Sequence, residues 1–235
     1  MGAIFRRELK AYFTSPIAYI FIAVFYIYSS IFFVGYNLGY GTTDMSVVFS
    51  NVFTVIMIIL PLLTMRLFTE EKRQRTDQCL LTAPVNLFSI VMGKFLAAVC
   101  IFLCAMAIYV PYIITLLVFA GNVAWATIIG NLVALLLLGA SFISIGIFVS
   151  AMTENQVVAA IVSFIIIILF YFVDMLAGNV QIEWLRSIML ALGFYNRYYE
   201  FTTGILNVTS LLYFVSAIFI FNFLTVRVLE KRRWD

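Results

Sequence analysis

Six apolar runs, each close to the about 20 residues that an α-helix needs to cross a hydrocarbon core, decide what this chain can fold into. They cover about residues 17–36, 47–67, 95–120, 126–150, 157–177 and 210–228. The runs are continuous rather than alternating, which reads as helices and not as strands of a barrel. In lipid the backbone must satisfy its own polar groups, and a helix does so within one segment. Of the 235 residues only 11% are charged and 65% are hydrophobic, against about 25% charged in soluble domains. That is too little charge to cover a water-facing surface. The expected fold class is all-α integral membrane, one domain over residues 1–235. The first run is too long for a signal-peptide core and lacks a small-residue cleavage site, so it reads as a retained span.

The basic residues set an orientation. Arg6, Arg7 and Lys10 precede the first run; Arg66, Lys72, Arg73, Arg75 and Lys94 lie at or after the end of the second; Arg227, Lys231, Arg232 and Arg233 close the chain. Only Arg186 and Arg197 of the 14 lie elsewhere. An even number of spans places the three basic segments on one side, which the positive-inside rule assigns to the cytoplasm. The net charge of +3 is spread over several short segments, which is no nucleic-acid footprint. Three cysteines, two of them at helical spacing in one run (Cys100 and Cys104), and no histidine predict free thiols and no zinc or haem site.

Four segments are not spans. Residues 3–14 put Ile4, Phe5, Leu9, Tyr12 and Phe13 on one helical side and Arg6, Arg7, Glu8 and Lys10 on the other. Ser15-Pro16 stops that helix. It reads as an interfacial helix whose basic residues face lipid phosphates, against the alternative of a frayed, solvated N-terminus. Residues 70–82 are charged, free of Gly and Pro, end in Leu80 and Leu81, and suit a short surface helix broken at Pro84. Such a helix either docks on a partner or is an ordinary loop. Thr153-Glu154-Asn155-Gln156 reads as a hairpin turn that caps the fifth span. Residues 178–209 are too long and too apolar for a simple loop, and hold either two short helices dipping into the membrane or an aromatic interfacial belt. Pro61 and Pro111 predict kinks in spans two and three. Small polar groups in or near the spans, among them Asn51, Thr64, Asn131, Ser141 and Ser163, read mostly as partners for neighbouring helices, with path-lining as the alternative role for some.

These residues resemble the ABC-2 (type V exporter-like) membrane subunits of ABC transporters along nearly the whole chain. The strongest stretch holds Glu70, Glu71, Thr76, Asp77, Leu80, Leu81, Pro84, Val85, Gly93 and Lys94; Arg75 stands where that family often has Gly. SAMTENQVVA, residues 150–159, is similar to its turn between spans four and five. The aromatic-rich residues 199–213 are similar to its approach to the last span. The opening FRRELKAYFTSPIAYIFIAVFY resembles gliding-motility-associated permeases within that family.

The resemblance implies a dimer, with a second permease copy or a homologue, whose subunits each contact a nucleotide-binding ATPase. It makes residues 70–82 the coupling helix, with Glu70, Glu71, Arg73, Thr76, Asp77, Leu80 and Leu81 as docking residues. It makes 3–14 the connecting helix, with Arg6, Arg7 and Lys10 on the membrane surface. It makes 178–209 an outer re-entrant hairpin, with Asp174, Tyr195, Arg197, Tyr198, Tyr199 and Glu200 as gate candidates. An extracytoplasmic accessory protein is a further partner class it allows.

No phosphate-binding loop occurs: the one Gly-Lys pair, Gly93-Lys94, is followed by Phe95. ATP and Mg would therefore belong to the partner ATPase, and this chain carries no cofactor and no catalytic residue. An intramembrane enzyme would need a nucleophile–base pair or paired carboxylates, which the runs lack. The expected function is an export permease of a bacterial cytoplasmic membrane. The alternative is a membrane anchor that transmits force in an ATPase-driven envelope machine without moving a solute.

Overall fold

The computed structural model describes residues 1–76, 85–120, 124–178, 180, 182–204 and 207–234. Its regular structure is helical: α1 (Gly2–Phe13), α2 (Pro16–Phe32, continued by a π-helix at Phe33–Leu38), α3 (Ser46–Thr64), α4 (Arg66–Arg73), α5 (Leu87–Met106), α6 (Tyr109–Ala120), α7 (Trp125–Met152), α8 (Gln156–Ala177), α9 (Glu183–Leu192), α10 (Tyr195–Thr202) and α11 (Val208–Trp234). Six segments are long and apolar enough to cross a membrane: Pro16–Leu38, Ser46–Arg73, Leu87–Phe119, Trp125–Met152, Gln156–Ala177 and Val208–Arg233. The fold is an all-helical bundle of six such segments.

Two boundaries differ from the sequence expectation, and both matter. The third segment starts at Leu87 rather than near residue 95, because the Asn86 side chain accepts from the Phe88 N–H at 3.1 Å and caps the helix. Lys94 therefore sits two turns inside a helix, not in a loop. The second segment passes through α3 into α4, held by the Met65 N–H donating to the Pro61 carbonyl at 2.9 Å. Pro111 acts as expected. Its ring crowds the carbonyl four residues back, and the helix is interrupted at Ala107–Ile108, between α5 and α6.

The apolar windows of α7 and α3 are 72% and 67% buried, whereas those of the segments formed by α2, α8 and α11 are 28%, 22% and 28% buried. So α3 and α7 make the centre, and the other three present broad apolar faces outward, as a lipid solvent requires. Small residues let α7 be crowded. A Cβ on Gly139 would lie 2.1 Å from the buried Phe102 ring, so only glycine permits α5 to pack there. Asn155 caps α8, accepting from the Val157 N–H at 2.9 Å, as the sequence suggested. Cys100 and Cys104 are free thiols; Cys79 lies outside the described residues.

Candidate functional site

The basic end of the bundle is organised around one buried cation. Lys94 is 1% exposed, and its ammonium lies 3.1 Å from Glu8 Oε1 and 3.0 Å from Glu71 Oε1. It also donates to the Leu67 carbonyl at 2.6 Å and lies 4.9 Å from the centre of the Phe68 ring. Arg7 pairs with Glu8 at 2.6 Å and also with Glu71. A clasp of two cations and two carboxylates thus joins α1, α4 and α5. A lysine this deep is tolerated only when paired and fully hydrogen-bonded.

Further contacts seat α1 and α4. The buried Tyr12 hydroxyl donates to the Leu63 carbonyl at 3.0 Å. Arg66 donates to the Ala11 carbonyl at 3.1 Å and lies 4.6 Å above the Tyr12 ring. Lys72 is buried and donates to the Ala151 carbonyl at the end of α7.

The placement of the predicted docking residues is mixed. Glu70, Arg73 and Thr76 are exposed, while Glu71 is turned inward to the clasp. The helix expected over 70–82 does not run unbroken. Residues 70–73 close α4, and Arg75 then adopts a left-handed backbone at φ 55°, which ends it. Asp77, Leu80 and Leu81 lie outside the described residues. Arg6, Arg7 and Lys10 are exposed along α1, but Glu8, expected beside them in solvent, is buried against Lys94.

That burial has a pH consequence. Desolvation opposes ionisation of Glu8, and the attraction of Lys94 together with the Arg7 hydrogen bond outweighs it, so its carboxyl titrates below its ordinary value of 4.5. A depressed carboxylate contributes stability that is full above its ordinary value and is lost as pH falls through the folded one. Hydrogen-exchange protection of α1, corrected for intrinsic rates, should therefore drop on acidification below that value while α7 stays protected. Equal protection of α1 at both pH values would refute the clasp.

The six gate candidates gather at the opposite ends of the helices, at the corner of α8, α9 and α10. Asp174, a carboxylate near the end of the fifth run that reads from the sequence as lying within reach of interfacial water, is instead buried. Its carboxylate accepts from the Tyr195 N–H at 2.7 Å, the Asn196 N–H at 3.3 Å and the Asn196 side-chain amide at 3.0 Å, and so caps α10. Tyr198 is fully buried and donates to the Phe49 carbonyl at 2.8 Å. Tyr195 and Tyr198 stand with Tyr171 and Phe142 around the Phe53 ring, filling the bundle beneath α10. Arg197 lies 4.3 Å above the Tyr213 ring, Glu200 accepts from Ser210 at 2.7 Å and Asn207 at 3.3 Å, and Tyr199 is exposed. Two short helices do occupy this region, and α9 has no buried residue while α10 is anchored.

Sequence reasoning used Lys94 as one charge among many and as half of the Gly-Lys pair, and missed its place in the clasp. The available signal was Asn86, an N-cap residue seven positions before the Gly-Lys pair.

A search of the curated proteins finds no match to this chain. The model of the ABC-2 family transporter protein matches residues 50–232, from the second turn of α3 to the last turn of α11, and leaves the opening stretch outside it. With that match over most of its length and six spanning-length apolar helices, the chain belongs to the ABC-2 transporter family and is a multi-pass membrane permease of an ABC transporter.

Proposed function

We propose that this chain is the membrane half of an ATP-driven exporter in a bacterial cytoplasmic membrane, with both termini cytoplasmic and a separate ABC ATPase docked at the basic end. The carrying observation is a cavity of about 520 Å³ between α1 and α4, walled by Arg7, Glu8, Arg66, Glu71 and Lys94 and rimmed by Glu70 and Thr76. The second oxygen of Glu71 is buried in that region without a hydrogen-bond partner. Buried polar atoms are nearly always satisfied, so this one suits a donor brought by a partner. The sequence has no phosphate-binding loop, so ATP and Mg belong to that partner. Two copies of the permease, meeting along their lightly buried outer helices, would complete the pathway. The α9–α10 pair would form its outer, re-entrant end.

The structure changes which residues give a fair test of docking. Reversing Glu71 would break the internal clasp, so a lost complex would be uninformative. Glu70 and Arg73 are exposed, and neither belongs to the clasp. Glu70→Lys with Arg73→Glu should weaken assembly with the cognate ATPase by roughly tenfold while leaving the thermal stability of the permease alone unchanged. ATP hydrolysis should appear in the complex and not in the permease by itself. Normal assembly of the double variant would remove the docking surface, and ATPase activity of the isolated chain would remove the reading. Net transport of a solute into vesicles would favour export over the force-transmitting alternative.

A further inference from the structure

At the end of the bundle away from the clasp lies a second cavity, of about 650 Å³, between the turn before α3, the first turns of α3 and α7, and α10. Its size falls in the range of small-molecule sites. Its walls carry side-chain hydroxyls and amides from Ser50, Asn51, Thr127 and Asn131, with Asp44 on one side and the exposed Tyr199 on another. Among the described lining residues there is no lysine or arginine.

Two independent features mark this as more than a gap. Asn131 is fully buried, and both its amide nitrogen and its amide oxygen lack a hydrogen-bond partner. Leaving both ends of a buried amide unpaired is costly, so something else must meet them when the protein is at work. The Asp44 wall is also held in place. The π-helix at Phe33–Leu38 turns Asn37 inward, where its amide donates to the Thr42 and Asp44 carbonyls, each at 2.9 Å. Single π-turns within helices recur at functional sites.

We propose that this cavity binds a neutral, hydroxyl-rich ligand, the sugar unit of a glycan. An amide that both donates and accepts can pair with adjacent hydroxyls of a sugar ring. The Ser and Thr hydroxyls match the remaining groups in either direction, and the Tyr199 ring offers an apolar face to the C–H side of a pyranose. An anionic ligand would meet Asp44 without a compensating cation, and an apolar one would leave Asn131 unpaired. The site goes beyond the transport reading and stands or falls separately from it.

The test uses the full chain in phosphatidylcholine nanodiscs. Saturation-transfer NMR is recorded with glucose, N-acetylglucosamine and glucuronate, and thermal stability is compared in discs with and without monoglucosyl diacylglycerol. The neutral sugars should show transfer and glucuronate little. Asn131→Leu should weaken the effect roughly tenfold without lowering stability, because it removes an unpaired amide. Thr127→Val, which keeps shape, should do the same to a smaller degree and serves if Asn131→Leu fails to fold. Stabilisation by the glycolipid alone, lost in the variants, would support the site and assign the sugar to a lipid headgroup. No response to any sugar in either arm, equal binding of glucuronate, or variants that bind as the parent does would overturn it.

Discussion

Lys94→Met should destabilise the permease by about 3–5 kcal/mol, the cost of stranding a buried charge. Methionine fits the space of the lysine stem, so the loss is electrostatic rather than steric. Glu8 and Glu71, about 3 Å from the ammonium in the parent, would be left facing each other with only Arg7 between them, and the Leu67 carbonyl would lose its donor. Denaturant or thermal unfolding in nanodiscs measures the effect, and loss of exchange protection in α1 locates it. Neutralising the carboxylates in the same background, with Glu8→Gln and Glu71→Gln, should recover most of the stability, since the penalty comes from uncompensated charge and not from the absence of a bond. A Lys94→Met protein within 1 kcal/mol of the parent would mean that the clasp is solvated and that α1 is held by its apolar face alone.

The second large effect is expected at Gly193, where the obstacle is space and not backbone angle. Its φ of −74° and ψ of 142° suit any residue, but a Cβ would stand 1.7 Å from Asp174 Oδ1. The carboxylate cannot step aside without releasing the three donors that it caps at the start of α10. Gly193→Ala should therefore cost about 2–4 kcal/mol, overpacking together with a lost cap, and should free Tyr198 from Phe49. Asp174→Ala alone should lose the cap and make room. The double variant should cost clearly less than the two changes added. Strict additivity would show that Gly193 and Asp174 do not meet.

The six spans were legible because hydropathy over about 20 residues is a local property that lipid enforces. The two short helices of the 178–209 region were legible for a related reason: Gly193 and Gly204 punctuate an otherwise apolar, aromatic stretch. The clasp was not legible. Glu8 looks like one more charge on the polar side of α1, and its burial depends on Lys94, 86 residues away. Nothing local to Glu8 announces such a pairing. Asp174 was misplaced in the same way. A carboxylate near a span end reads as solvated until the helix that it caps, 21 residues on, folds back over it. The break at Arg75 is not announced by arginine itself, which carries no turn signal; the one hint was that the resembling family often has Gly at this left-handed position.

The continuity of α3 and α4 has a mechanical consequence. The segment Ser46–Arg73 is 28 residues long, about 42 Å at 1.5 Å per residue, so where α3 and α4 move as one body a rocking of about 5° at one tip swings the other by roughly 3–4 Å. One tip carries the exposed Glu70 and Arg73, and the other carries Ser50 and Asn51 in the wall of the distant cavity. A displacement applied at the Glu70 tip would thus reach the distant cavity as a lever stroke, with no relay of rearranging side chains between them.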